Sequence, residues 1–134
     1  MSAQAEAIPT FKADFGALMS YLHDTDASPV SISPRRYISV LRLELRDLAT
    51  QAHVHRSTIS CASDSETIQR FLREALRVLR AATDVSGDVE RAILWFKNEP
   101  LREFDYKTAQ TLVSEGHAAS AIKYLQMAEA GFLG

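Results

Sequence analysis

The stretch IQRFLREALRVLRAA, residues 68–82, has apolar residues at intervals of three and four along its whole length. Because one turn of an α-helix takes about 3.6 residues, this spacing places the apolar side chains on one face of a helix. We expect the helix to begin at a capping box formed by Ser63 and Glu66 and to end at Ser86-Gly87. Its apolar face consists of Ile68, Phe71, Leu72, Ala75, Leu76, Leu79 and Ala82. This is the strongest helix signal in the chain.

Two weaker helix signals precede this stretch. Apolar residues recur at helical spacing over about residues 11–23 and predict a short helix that follows a polar arm. Residues 24–33 are rich in turn formers and are expected to be a linker. Ser33 followed by Pro34 is typical of a helix start, because serine caps the helix and proline fits its first position. A second helix is therefore expected from residue 34.

Three further helix signals follow the central stretch. A segment rich in apolar residues predicts a helix that stops before Pro100, because the residue that precedes a proline disfavours the α conformation. Short helices at residues 108–115 and 118–130 are expected to end at Gly116 and Gly131, since glycine takes the left-handed C-cap conformation without strain. No segment shows the strict alternation that is typical of a strand. The predicted fold class is therefore all-α.

Charge is distributed unevenly along the 134 residues, whose formal net charge is −2. Residues 35–80 contain nine Arg and Lys against five Asp and Glu, a local charge of +4. Residues 81–134 contain five against eight, a local charge of −3. A basic half and an acidic half suit a protein that contacts DNA with one part and a cationic protein with the other, although a solvated surface also varies in this way.

Cysteine content and hydropathy indicate the compartment. The single cysteine, Cys61, excludes an internal disulfide and suggests a reducing environment. No segment approaches the ~18 consecutive apolar residues of a membrane span, and no signal peptide is recognisable. We therefore expect a soluble, cytoplasmic protein that does not contact a membrane.

The segment LATQAHVHRSTIS, residues 48–60, has the residue types of a helix-turn-helix at the required spacing. Ala49 is the small residue at the helix crossing, His53 occupies the turn position that needs a positive φ, and His55 caps the second helix. The apolar residues expected to lock the two helices are Leu48, Ala52, Val54, Ile59 and Ala62. The predicted DNA-binding surface consists of His55, Arg56, Ser57, Thr58 and Ser60.

This segment resembles the motif of Xre-type repressors, whose usual form is LAxxLGVSRSTIS. The coinciding positions are Leu48, Ala49, Val54, Arg56, Ser57, Thr58, Ile59 and Ser60. The resemblance implies DNA binding, in which Arg56 contacts a phosphate or a guanine edge. The turn glycine of the motif is replaced here by His53, and the second helix runs into the segment CASDSET. The alternative is a helix-turn-helix scaffold that serves only for packing.

The segment from Trp95 to Gly131 resembles the C-terminal domain of the Xre/MbcA/ParS antitoxin family, whose partner toxins belong to the RES class. The matching residues, in order and spacing, are Trp95, Asn98, Pro100, Leu101, Phe104, Thr108, Ala109, Leu112, Val113, Gly116, Ile122, Leu125 and Gly131. Most of them are expected to be architectural. Trp95 and Phe96 are expected to anchor the core and Thr108 to cap a helix.

The resemblance implies an antitoxin that neutralises a RES-class toxin, which degrades NAD⁺ or transfers ADP-ribose. It implies that the C-terminal segment, with its carboxylate, enters the toxin's active-site cleft and occludes the NAD⁺ site. The toxin-binding residues it implies are Tyr124, Gln126, Met127, Glu129, Ala130, Gly131, Phe132, Leu133 and Gly134. The sequence itself shows only that apolar residues follow Gly131, and these either fold back onto the last helix or insert into a partner.

Three parts are expected in the chain. Residues 1–33 form an N-terminal arm with a short helix, residues 34–83 the Xre-like helix-turn-helix region with the long helix, and residues 84–134 a small toxin-binding domain. Because a helix-turn-helix protein that reads a palindrome is a dimer, we expect a homodimer, and a heterotetramer with the toxin. The helices at 11–23 and 64–82 either form the dimer contact or only cover the core.

The main alternative function is a stand-alone helix-turn-helix repressor without a toxin partner. An enzyme is disfavoured, because the sequence lacks a Ser/His/Asp set, a P-loop and paired carboxylates in a glycine-framed cleft. No catalytic residue and no cofactor are therefore predicted. His53 and His55 have no third ligand near them in the sequence, so no metal site is predicted either.

Overall fold

Helices make up nearly all of the regular structure. The computed structural model describes residues 8–23 and 30–133, with side chains up to residue 129. The helices are α1 (Phe15–His23), α2 (Pro34–Leu41), α3 (Leu45–Ala52), α4 (Arg56–Cys61), α5 (Glu66–Ser86), α6 (Val89–Asn98), α7 (Ala109–Ser114) and α8 (Ala118–Leu133), with a 3₁₀ turn (Arg102–Phe104) between α6 and α7. The described residues contain no strand beyond an isolated bridge between Leu101 and Lys107. The predicted all-α class is confirmed.

Helix α5 lies at the centre of the fold. Helices α6 and α8 pack along it, and α3 and α7 also contact it. All the residues of the predicted apolar face are buried, and so are Gln69, Val78 and Thr83. The buried carboxamide of Gln69 bonds to the backbone N–H and C=O of Ile32, each at 2.9 Å. Because every polar group of this pair is satisfied, Gln69 fixes the segment before α2 against α5 without a desolvation cost.

The start of α5 differs from the prediction, whereas its end agrees with it. The capping box predicted at Ser63 is wrong, because the N-cap is Ser65, whose Oγ accepts from the Ile68 backbone N–H at 3.4 Å. Ser63 instead accepts a hydrogen bond on its carbonyl from Gln69 Nε2 at 2.9 Å. At the other end, Gly87 takes φ 80° and closes the helix as expected.

Helix α1 begins at Phe15, four residues later than predicted. Lys12 has φ 52°, a left-handed conformation that interrupts a helix, and Asp14 Oδ1 accepts from the Ala17 backbone N–H at 2.9 Å. Phe11 is nevertheless buried, with 4% of its surface exposed, and its ring lies 5.9 Å from that of Tyr21. The apolar spacing therefore included a core residue that belongs to the preceding turn.

Three other predicted helix ends are confirmed. Ser33 Oγ accepts from the Arg36 backbone N–H at 3.2 Å at the start of α2. Helix α6 stops at Asn98, before the proline, and Gly116 takes φ 87° after α7. Thr108 Oγ1 also caps α7 as expected, since it accepts from the Thr111 backbone N–H at 3.2 Å.

The C-cap predicted at Gly131 is wrong, because α8 continues through this residue to Leu133. Glycine ends a helix when its backbone turns left-handed, but it also continues one at a cost of about 1 kcal/mol relative to alanine. The backbone that we expected to be a free tail after Gly131 is therefore helical as far as Leu133. The side chains of residues 130–133, and all of residue 134, lie outside the described residues.

The buried side chains of all the helices form one apolar cluster that extends from Phe11 to Leu125. The apolar faces of α1 and α5 lie in this cluster, so they cover the core of their own chain. The boundaries predicted after residues 33 and 83 stay predictions. In the ranges described above, none of the helices combines the length and the apolar character that a bilayer span requires.

Candidate functional site

Helices α3 and α4 form two short segments joined by residues 53–55. His53 has φ 60° and ψ 42°, the left-handed conformation that its place in the turn requires. The residues predicted to lock the two helices are buried at Leu48, Ala52 and Ile59 and half-buried at Val54 and Ala62, and Ala49, predicted at the helix crossing, is also buried. The sequence pattern and the local backbone therefore agree throughout this segment.

The outer side of α4 is polar, and its side chains make no hydrogen bond or ion pair within the described residues. We define the α4 surface as His55, Arg56, Ser57, Thr58 and Ser60, which are exposed except for the half-buried Thr58. His55 occupies the N-cap position as predicted, but its side chain makes no capping hydrogen bond. None of these side chains has a hydrogen bond or an ion pair to another described residue. Their donors and acceptors are therefore available to a ligand.

Contacts with α7 hold the turn in front of α4. His53 Nε2 lies 2.8 Å from the Ser114 carbonyl oxygen, although the two residues are 61 positions apart. Ser114 Oγ in turn donates to the Gln51 carbonyl oxygen at 2.7 Å. A third link runs from Lys97 Nζ, on α6, to the Leu41 carbonyl oxygen at 2.6 Å. The second half of the chain therefore supports the helical ends of the first half.

A groove of about 480 Å³ lies between α8 and the 3₁₀ turn. We define the aromatic groove by its lining residues, which are Glu103, Phe104, Ser120, Lys123, Tyr124, Met127 and Ala128. The Tyr124 ring stacks on Trp95, with centroids 6.5 Å apart, and meets the edge of Phe104 at 6.2 Å. These ring contacts fix the position of Tyr124, so the groove wall is formed before a partner binds.

The charges around the aromatic groove are mixed but mainly acidic. Partial burial raises the pKa of Tyr124, and the carboxylates of Glu103 and Glu99 raise it further. Lys123 lines the groove, and Lys107 pairs with Glu115 at 3.0 Å just beyond it. The Tyr124 phenol therefore stays protonated at neutral pH and can donate a hydrogen bond.

The predicted toxin-binding residues separate into three groups. Tyr124 and Met127 line the aromatic groove, and Met127 is 65% exposed. Gln126 and Glu129 are exposed but do not line it. The side chains of Ala130, Gly131, Phe132, Leu133 and Gly134 lie outside the described residues.

Five of the groove residues were not predicted as site residues from the sequence, namely Glu103, Phe104, Ser120, Lys123 and Ala128. Helical spacing from Tyr124 would have pointed to Ser120 and Ala128, which lie four residues before and after it, and spacing from Met127 would have pointed to Lys123, four residues before it. Phe104 and Glu103 come from a separate turn. Their place opposite α8 depends on long-range packing, which helical spacing does not reveal.

No metal-binding group is found in the described parts of the chain. No three His, Cys, Asp or Glu side chains there come close enough together to hold an ion. His53 is engaged with the Ser114 carbonyl instead. Comparisons with protein-family models, with curated proteins and with solved structures found no match.

Proposed function

We propose that this protein is an antitoxin that neutralises a RES-class, NAD⁺-targeting toxin through the end of α8 and the aromatic groove. The α4 surface is proposed to bind operator DNA, so that the protein represses its own operon. The observation that carries the proposal is that α8 continues to Leu133 and carries exposed groups after Leu125, where the family resemblance places toxin contacts.

The extension of α8 can be measured along its axis. Leu125 is the last buried residue of the described part of α8, whereas Gln126, Met127 and Glu129 are exposed. The helix runs eight residues further, to Leu133. At a rise of about 1.5 Å per residue, that is about 12 Å of helix beyond Leu125. A segment of this length is long enough to enter the active-site cleft of a partner.

The helix end has the polarity that a dinucleotide site favours. The last carbonyl groups of an α-helix lack intrahelical partners, and together they carry a partial negative charge. In the proposed complex these carbonyl groups take the place of the phosphates of NAD⁺ against the cationic groups of the toxin. Bound in this way, the end of α8 excludes the substrate and the toxin is inactive.

The aromatic groove supplies the contact area around the inserted helix end. Aromatic and methionine side chains are enriched in protein interfaces. At this site Tyr124 and Met127 offer apolar surface to a partner. Glu99 and Glu103 give the rim a negative charge, which complements a cationic toxin. The groove is therefore proposed to supply affinity and orientation, and the helix end to supply inhibition.

The α4 surface is proposed to be the second helix of a helix-turn-helix that enters the major groove of DNA. Arg56 is its only guanidinium group and is proposed to contact a phosphate or a guanine edge. Two copies of α4 reading a palindrome lie about 34 Å apart on the duplex. The proposal therefore includes a homodimer, and a two-plus-two complex with the toxin.

The antitoxin proposal is tested by co-expression with the RES-class protein of the same host. We expect the intact chain to restore growth and cellular NAD⁺, and removal of residues 132–134 to abolish both effects. Arg80→Ala is the matched control, because Arg80 is exposed on α5 and lies outside the proposed interface. Both variants should keep the wild-type melting temperature. Full protection by the truncated chain would exclude inhibition by the helix end.

A stand-alone repressor is the second candidate, favoured by the α4 surface, whose side chains make no hydrogen bond or ion pair within the described residues. It predicts tight, salt-sensitive binding to operator DNA without any protein partner. Operator binding by the purified chain, combined with no effect on toxin activity, would favour this candidate. The two candidates therefore differ in one measurement, the inhibition of the toxin.

A further inference from the structure

The turn between α3 and α4 contains a histidine where the backbone favours glycine. His53 adopts φ 60°, a conformation that costs a residue with a Cβ atom free energy but costs glycine none. Its ring, however, reaches the Ser114 carbonyl oxygen at 2.8 Å. Because a carbonyl oxygen only accepts, Nε2 is the donor in this hydrogen bond.

His53 and Ser114 satisfy carbonyl groups at the ends of α7 and α3 that lack intrahelical partners. Ser114 is the last residue of α7, so its carbonyl is one of the groups that lack an intrahelical partner. Gln51 lies in the last turn of α3, and its carbonyl has the same need. His53 donates to the first carbonyl and Ser114 Oγ donates to the second, at 2.7 Å. The end of α3 and the end of α7 are thus joined by reciprocal caps.

Helix α4 depends on this junction for its orientation. It has six residues and a single buried side chain, Ile59. A helix this short is not stable by itself, so its position is set by the segments that carry it. Helix α3 packs against it directly, and the turn held by α7 leads into its first residue.

The same helix α7 lies beside the aromatic groove. The Lys107–Glu115 ion pair, at 3.0 Å, joins the segment after the 3₁₀ turn to the end of α7. Ser114 is the neighbour of Glu115 in the chain. A continuous set of contacts therefore runs from the groove wall through the end of α7 to His53 and α4.

We propose that His53, held by Ser114, is the positioning residue that fixes α4 for its ligand and links it to the aromatic groove. The ligand is the operator DNA of the proposed function, on which this inference rests. Because coupling between two sites is reciprocal, a partner in the groove changes the affinity of α4 for DNA by the same factor by which DNA changes the affinity of the groove for that partner. Glycine at position 53 would give an unstrained turn but would lose this link.

The test compares the full-length wild-type chain with His53→Gly, Ser114→Ala and the double variant. Hydrogen exchange of the α4 amides reports the positioning of the helix. A labelled duplex of the DNA upstream of the coding sequence reports binding. His117→Ala is the matched control, since His117 is exposed near the end of α7 and its ring makes no hydrogen bond to a described residue.

We expect each single variant to lower the protection of α4 amides and the affinity for the duplex about tenfold, the size of one hydrogen bond. The variants remove different bonds, because His53→Gly loses the bond to the Ser114 carbonyl and Ser114→Ala loses the bond to the Gln51 carbonyl. The double variant should therefore lose at least as much protection and affinity as either single variant. The melting temperature of His53→Gly should not fall, since glycine relieves the strained turn. A lower melting temperature for His53→Gly would indicate that the role of His53 is merely structural.

Two outcomes separate this inference from the proposed function. Unchanged α4 protection in both single variants would overturn the inference, whatever the affinity for DNA. If the wild-type chain binds no duplex while the α4 protection falls in the variants, the DNA-binding part of the proposed function fails and the positioning role of His53 is supported.

Discussion

The α4 surface and the aromatic groove are built in opposite ways. The α4 surface lies on six residues with one buried side chain, and it is held through a turn that bonds to a residue 61 positions away. The aromatic groove lies on a helix of 16 residues, and its central ring stacks on neighbours within the same half of the chain. The α4 surface therefore depends on a contact with the other half of the chain, whereas the central ring of the aromatic groove depends on contacts within its own half.

The largest expected effect concerns the buried core around α5, which supports both surfaces. Leu72 is fully buried in α5, which contacts α3, α6, α7 and α8. Leu72→Ala should lower the free energy of unfolding by about 2–5 kcal/mol and should affect both surfaces together, because it opens a cavity in their common core. Urea denaturation measures the loss.

The exposed Arg80 on the same helix provides the control for Leu72→Ala. Arg80→Ala should change the free energy of unfolding by no more than about 0.5 kcal/mol. Two separate unfolding transitions in the wild-type chain would contradict a common core, and the two surfaces would then belong to independent units.

The second prediction separates the groove from α4. Tyr124→Ala removes two ring contacts, each of which contributes about 0.5–1.5 kcal/mol beyond the area that it buries. It should lower stability by about 1–3 kcal/mol and abolish toxin binding, while DNA affinity stays within about twofold of wild type. Calorimetry and a toxin pull-down check the two effects. Equal toxin binding by Tyr124→Ala and the Arg80→Ala control would remove the groove from the interface.

The third prediction is the converse of the second and concerns Arg56 on the α4 surface. Arg56 is exposed and makes no contact with a described residue, so Arg56→Ala should leave the free energy of unfolding within about 0.5 kcal/mol of wild type. It should weaken operator binding by about 1–3 kcal/mol and reduce the salt dependence of binding. Fluorescence anisotropy at several salt concentrations measures both. Arg91, exposed on α6, is the control, and an equal loss in Arg91→Ala would mean that binding is only electrostatic.

The smallest expected effect is the titration of Tyr124. Burial raises its pKa first, and Glu103 and Glu99 raise it further, so the folded state favours the neutral phenol. The resulting stability is fully present below the pKa of an unfolded tyrosine, about 10, and is lost as pH rises through the folded pKa. Glu103→Gln should lower the pKa of Tyr124, as measured by tyrosinate absorbance. An unchanged titration would mean that Glu103 does not act on the groove.

The predictable part of the structure is the part that depends on local signals. The spacing of apolar residues predicted the buried face of α5, and Gly87, Gly116 and the Ser33-Pro34 pair predicted helix ends correctly. Each of these signals acts within one or two helical turns. The same local rules failed at Ser63, where a second serine two residues later took the capping role.

The other differences have a long-range cause or none visible in the sequence. Phe11 has the spacing of a helix residue but reaches the core from a turn. The groove combines Phe104 with α8, and His53 is joined to Ser114. Helical spacing predicts none of these three features, because it relates only residues that are neighbours along the chain. Gly131 continues the helix although the same residue type ends α5.

The most direct test of the account is purification of the full-length chain from its own host at high salt with nuclease, with Tyr124→Ala prepared in parallel. Mass spectrometry then identifies what remains bound. The account predicts one stoichiometric RES-class protein on the wild-type chain and none on the variant. A wild-type chain that is recovered alone would contradict the antitoxin proposal and leave DNA binding by the α4 surface as the function.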